Sequence, residues 1–283
     1  MRLFILGLGY SARHFVRLFG GRFSHIAGTV RDPAQRGALA GVEVHAFSGS
    51  SPARETIERM RDADVLLVSI PPGSAGDPAI AAFSGLLAAG SDRKIVYLST
   101  IGVYGDHAGG WVDESTPPKA DLDRTRMRVA AEQAWTDLTG GGAAILRLAG
   151  IYGSGRNALM TLRAGTARRI IKPGQVFNRI HVNDIASAIM AAIHHPSGGT
   201  WNVCDNEPAP PQDVIAYAAK LMNVAPPPEE PFETAEMSAM ARSFYASSAR
   251  VSNAKMKREL GITLAYPTYR HALEALWQAG EGR

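Results

Sequence analysis

The chain has 283 residues, 46% of them hydrophobic and 20% charged, which suits one large α/β domain or such a domain with an appended lobe. Its net charge of +4 is a small excess for this length, and the basic clusters at Arg124, Arg126 and Arg128, at 163–172 and at 255–258 lack interleaved aromatics, which argues against nucleic acid as a partner. One cysteine, Cys204, excludes an internal disulfide or a cysteine metal cluster and reads as a buried, inert thiol; the eight histidines have no metal-ligand spacing, and no apolar run reaches membrane-spanning length, so a cytoplasmic protein without metal or membrane partner is expected.

Residues 1–6 form a short apolar run that stops at Gly7-Leu8-Gly9-Tyr10-Ser11-Ala12, with an amphipathic stretch behind it. This reads as strand, tight turn and helix. Gly7 permits the turn, Gly9 lets the backbone approach a pyrophosphate, and Ala12 is small enough for the helix to pack on the strand. The helix N-terminus at Tyr10 and Ser11 then offers unpaired N–H groups and a favourable dipole to an anion. Taken alone the string is weak, because glycine-rich turns are common.

After a helix closed by Gly20-Gly21, residues 25–31 make a second strand that carries Thr29 and ends at Arg31, where a ribose-binding residue belongs. An acid there would accept from a ribose 2′-OH. An arginine pairs instead with a 2′-phosphate and stacks on adenine, so the residues point to NADP, with Thr29 and Arg31 as contacts. The plainer alternative is a solvated strand-end charge, and Asp32 beside it keeps NAD open. Asp32-Pro33 also suits the N-cap and first position of a short helix to Ala40, closed by Gly41.

Residues 42–46 alternate as a third strand, and Ser51-Pro52 opens a helix to Arg61. The nearly continuous apolar run 64–70, halted by Pro71-Pro72, has the pattern of a strand buried on both faces of a parallel sheet. Its carboxyl end, Ser69 to Pro71, should line the cofactor crevice. A helix from Asp77-Pro78 to Gly90 and a fifth strand at 94–98 follow. Five β/α alternations imply a doubly wound parallel sheet of Rossmann type in the α/β class.

The fifth strand runs into Ser99-Thr100-Ile101-Gly102-Val103-Tyr104-Gly105, which resembles the S-S/T-x-x-V-Y-G signature of the extended short-chain dehydrogenases/reductases, the NAD-dependent epimerase/dehydratase group. Further segments resemble that family in order: 146–156 its LRxxxxYGPGR strand and loop, 179–186 its IHVDD segment, 201–203 its (Y/F)N(V/L) strand, and 251–261 its SNxK…LG pattern. The resemblance covers essentially the whole chain. It implies an NADP-binding Rossmann domain over 1–153, rejoined by 181–207, with a small substrate lobe from 154–180 and 208–283. The Pro-rich stretches 208–211 and 226–231 read as loops, and 269–278 as a packing helix.

The resemblance also implies a catalytic set: a Ser or Thr at the end of the fifth strand, then a Tyr and a Lys four residues apart. Thr100 matches the hydroxyl. The downstream segment 124–132 aligns with the family's YxxSKLAAE and puts Arg124 at the Tyr position and Arg128 at the Lys position. An arginine stays protonated at any working pH, so Arg124 cannot cycle a proton as a phenol does. Arg128 keeps the charge and donors needed to hold a nicotinamide ribose. Tyr104 or Tyr152 could supply a phenol from a neighbouring loop, although packing is the plainer role for both.

Phe177 stands where sugar-nucleotide enzymes of the family carry an arginine for the substrate diphosphate, and Arg179 is the nearest substitute. His181 reads as a structural strand-end residue, and His194-His195 as a capping pair at a helix end. Two readings result. One is an NADP-dependent oxidoreductase, epimerase or dehydratase with a rearranged acid/base set, acting on a small molecule, with an anionic group favoured beside the arginines. The other is a catalytically idle NADP(H)-binding redox-sensing or regulatory protein. Oligomeric state is open.

Overall fold

A computed structural model of the chain describes residues 1–35, 39–87 and 93–283. In chain order the elements are β1 (Arg2–Leu6), α1 (Tyr10–Phe19), β2 (His25–Val30), β3 (Glu43–Ala46), α2 (Arg54–Arg61), β4 (Val65–Val68), α3 (Pro78–Leu87), β5 (Lys94–Thr100), β6 (Trp111–Val112), α4 (Asp123–Leu138), β7 (Ala144–Leu148) and β8 (Gly150–Tyr152). There follow α5 (Ala158–Arg163), β9 (Arg169–Ile171), β10 (Arg179–His181), α6 (Val182–His194), β11 (Gly199–Val203), α7 (Pro211–Met222), β12 (Glu229–Pro231), α8 (Ala239–Phe244), β13 (Arg250–Val251), α9 (Ala254–Glu259) and α10 (Tyr269–Gln278).

Seven strands form one parallel sheet in the order β11-β7-β5-β4-β1-β2-β3. The order reverses between β1 and β4, the switch point at which open α/β sheets leave a crevice at the strands' carboxyl ends. As the 64–70 run implies, β4 is central, with Phe4 opposite Leu66 on one side and Val96 opposite Leu67 on the other. Strand alternation serves two cores at once. Leu3 and Ile5 face α1 and α6 through Ala12, Phe15, Ile185 and Ile189, whereas Phe4 and Leu6 face the other side with Met60, Phe83 and Trp135.

A third apolar cluster joins Tyr152, Leu159, Val214, Ala218, Tyr269 and Leu273, tying α5, α7 and α10 together beyond the sheet. Three two-stranded pairs, β8 with β10, β9 with β12 and β6 with β13, connect these outer parts to the sheet. Val251, Met256 and Leu264 bury in the same core as Trp201, so part of the late segment packs on the sheet itself.

Several local expectations change. The segment after β2 forms only a 3-10 turn at Pro33–Gln35 among the described residues, with the Asp32 carboxylate accepting from Ala34 N–H at 2.9 Å. Asp32 thus supplies its capping bond at the start of a 3-10 turn. The helix expected from Ser51 begins at Arg54, because Ser51 sits at φ 47 and Ala53 gives no side-chain cap. The expected end of α3 at Gly90 lies outside the described residues. The fifth strand runs two residues further than its apolar stretch suggests, to Thr100, paired there with Leu148.

Candidate active site

The crevice is built first by the turn after β1. Gly7 adopts φ 97, and a Cβ there would stand 2.7 Å from Ile70 Cγ2 and 3.3 Å from the Ser69 carbonyl carbon. Only glycine fits where the ends of β1 and β4 touch, and Ser69 N–H is bonded to Leu6 O at 2.8 Å. Thr29 locks the turn from the other side: its hydroxyl accepts from Gly7 N–H at 3.0 Å, and its carbonyl accepts from Leu8 N–H at 2.8 Å. Thr29 is 1% exposed, so its expected contact with a cofactor becomes support of the turn.

Gly9 is the N-cap of α1, with no side-chain cap, and nothing lies within 4 Å of where its Cβ would be. The first helical bond runs from Arg13 N–H to Gly9 O, so the N–H groups of Tyr10, Ser11 and Ala12 precede the ladder and are the donors a pyrophosphate takes. The Tyr10 side chain turns away, donating to Ser154 O at 2.9 Å, with Arg156 5.7 Å from its ring centre. An open glycine, an uncapped helix end and a rigid turn fit a dinucleotide pyrophosphate. Arg31 is exposed beyond the end of β2 and has no ion pair among the described residues; Ser69 and Pro71 lie across the crevice at the end of β4.

The second half of the site follows β5. Thr100 caps a 3-10 turn, its hydroxyl accepting from Gly102 N–H at 3.1 Å. The first turn of α4 rests on it: a Cβ on Gly102 would lie 3.2 Å from Thr125 Cγ2 and 3.4 Å from Thr100 Oγ1. Thr125, next to Arg124 in the chain, therefore lies beside the turn that Thr100 caps. Arg124 is half-buried and reaches across to α8, donating to Ser243 Oγ at 2.7 Å with its guanidinium 4.9 Å from the Phe244 ring centre. Arg128 points back to β5 and donates to Tyr97 OH at 2.8 Å and Leu98 O at 3.0 Å.

Tyr104 is withdrawn from the surface. It is 1% exposed, donates to Asn202 Oδ1 at 2.8 Å and accepts from Arg147 at 3.0 Å, so its hydroxyl is committed inside the core, and burial raises its pKa. That geometry removes it from the acid/base candidates. Tyr152 is also buried, edge-on to His181, and desolvation pushes its hydroxyl far up. Tyr97 is held by Arg128, with its pKa pushed up to about 12 by burial. Arg179 donates from Nη1 to Phe177 O at 2.9 Å and Ala209 O at 3.0 Å.

Sequence reasoning missed the polar network beneath this half. Glu132 on α4 accepts from Ser99 Oγ and forms a two-pronged ion pair with Arg147, 2.7 Å at its shortest, and Arg147 in turn reaches Tyr104. Asn202 closes the chain, taking the Tyr104 hydroxyl on its side chain and giving its backbone N–H to Glu114 at 2.7 Å. The available signal was Arg147, one charge inside the apolar strand 144–148. His181 caps α6 through Nδ1, 3.2 Å from Asn183 N, and burial lowers its pKa to about 4. Near Tyr10, Glu281 accepts from Gly155 N–H at 3.0 Å and from the Asn157 amide, pinning the 153–157 loop. Cys204 is buried, with its thiol pushed up by desolvation.

No family model matches the chain. It is 46% identical to a protein of unknown function from Silicibacter pomeroyi DSS over 99% of both chains, with a TM-score of 0.91. Protein YeeZ of Escherichia coli K12 is 26% identical over 79% of this chain and 84% of its own. A dTDP-glucose 4,6-dehydratase from Bacillus anthracis, solved with NAD, superimposes with a TM-score of 0.71 at 17% identity, over 100% of this chain and 98% of the other. The chain thus shares a family with the Silicibacter pomeroyi protein and has the fold of solved NAD-dependent epimerase/dehydratase-like proteins.

Proposed function

We propose that the protein binds NADP(H) in the crevice between β1 and β4 and acts as an atypical oxidoreductase or epimerase on a small, anionic molecule, with Arg124 and Arg128 in place of the family's Tyr–Lys pair. The carrying observation is the Gly7–Gly9 turn, locked by Thr29, with Arg31 beyond β2 free of any ion pair among the described residues. The likeness to a dehydratase solved with NAD supports a nicotinamide dinucleotide, and Arg31 supports the 2′-phosphate form. Backbone N–H groups from Tyr10 and Ser11 hold the pyrophosphate, and Ser69 and Pro71 line the opposite wall. The bound nicotinamide supplies or removes a hydride. Thr100 presents a hydroxyl beside the reacting group. Arg124 stabilises negative charge there without supplying a proton, so the proton comes from substrate or solvent.

Titration of both cofactors tests this. A charge-assisted hydrogen bond of about 1.5–3 kcal/mol gives NADP a roughly 10- to 150-fold advantage over NAD, which Arg31→Asp should reverse. Equal affinities, or a variant that still prefers NADP, would refute the assignment.

The inward turn of Arg128 onto Tyr97 and Leu98 O favours a second reading, an NADP-binding protein with no turnover. Under it, no NADPH oxidation is seen with aldehydes, ketones or keto acids, and Arg124→Tyr/Arg128→Lys gains some. Robust turnover by the natural protein excludes it.

A further inference from the structure

Arg124 is a cation with unusual company. No carboxylate pairs with it among the described residues, whereas its neighbour Arg126 is neutralised by Asp123 at 2.5 Å. Its described hydrogen bonds all leave from Nη1, toward Ser243 Oγ and Met240 Sδ, so the Nε–Nη2 edge, the one that matches a carboxylate side-on, is uncommitted. Around it the surface is apolar. Helix α8 has no buried residue, and Met240 and Phe244 are 59% and 55% exposed, with the guanidinium over the Phe244 ring. Two large apolar side chains therefore stand in solvent beside an arginine that no carboxylate pairs among the described residues, and the next residue, Thr125, packs over the turn that Thr100 caps.

We infer that this corner binds an organic acid with an aromatic or branched apolar body, its carboxylate on Arg124 and its body against Phe244 and Met240. A phosphate dianion is a poorer fit, since it gathers several cations, and here Arg126 is paired with Asp123 while Arg128 is turned onto Tyr97. The inference deepens the proposed function by naming the substrate class, and it rests on that reading for where the reaction takes place.

Calorimetric titration of phenylpyruvate, its methyl ester, 4-methyl-2-oxopentanoate and pyruvate, each with and without NADP, tests it. Both large acids should bind roughly 10- to 150-fold better than the ester. They should exceed pyruvate by roughly tenfold or more through the apolar body. Arg124→Gln should abolish the preference for acid over ester while Arg126→Gln keeps it, and Phe244→Ser should bring phenylpyruvate down toward pyruvate. A mere tie between α4 and α8 would change the melting temperature of Arg124→Gln and leave the acid preference intact, which would overturn the inference. So would failure of both large acids to bind, or pyruvate binding as well as they do. An Arg124-dependent acid preference in a protein that ignores NADP would keep this inference and sink the cofactor assignment instead.

Discussion

Replacing Arg147 by methionine removes one partner of the buried ion pair and leaves the Glu132 carboxylate without its counter-charge. The two side chains are 8% and 9% exposed, so solvent screens them little. Breaking such a pair costs about 3–5 kcal/mol, chiefly the penalty of a buried, uncompensated charge. The Tyr104 hydroxyl also loses a donor, although Asn202 still holds it. At roughly 2–4 °C per kcal/mol for large domains, the melting temperature should fall by on the order of 10 °C. Glu132→Leu with Arg147→Met removes both charges and should recover most of the loss, since apolar replacements of buried pairs are commonly neutral. Urea unfolding of the natural protein, both single variants and the double variant closes the cycle. A single-variant cost below about 1 kcal/mol, or a double variant no better than the sum of the singles, would refute the claim that the pair is desolvated and coupled.

His181 is buried with a pKa near 4, below its unfolded value, so the folded state binds fewer protons and this residue's stabilising share is lost as pH falls from about 6.5 to 4. The loss amounts to about 3 kcal/mol, and Asp205, raised to about 7 by burial, acts in the opposite sense over the same range. The comparison to make is therefore urea unfolding of the natural protein against His181→Gln, which should lose less stability between pH 7 and 4; parallel profiles would count against a buried neutral imidazole. Gly7→Ala places a Cβ at φ 97 within 2.7 Å of Ile70. It should destabilise the fold by roughly 1–3 kcal/mol and weaken dinucleotide binding, and a variant that binds NADP normally would show the turn is not the cradle. Cys204 should resist thiol reagents in the folded protein and react only on unfolding, as mass spectrometry after brief labelling would report.

The sheet was readable because its signals are local. An apolar run halted by prolines, as at 64–72, or by a glycine turn, as at 1–9, states both the strand and its burial on two faces, and the observed registers follow. The 3-10 turn after Asp32 was less readable because one Asx capping bond looks alike in sequence whether or not a helix continues. Side-chain direction was the larger gap. The alignment that puts Arg128 at the lysine position is silent on its turn toward Tyr97, and Tyr104 in its Tyr-Gly turn gives no sign of the bonds to Asn202 and Arg147, 98 and 43 residues away. Such long-range partners exist only once β5, β7 and β11 lie side by side.

Glu281 lies beyond α10, yet it holds the Gly155 and Asn157 donors of the loop that touches Tyr10 at the start of α1. The last residues of the chain thus act as a strut between its two extremes, and Gly282 seats beside Leu159, where a Cβ would come within 2.9 Å. For anyone handling the protein, trimming it behind α10 removes the carboxylate that pins the 153–157 loop rather than a loose tail. A version ending at Ala279 should be more easily cut by protease in the 153–157 loop, and NADP should restore protection less completely than in the full chain.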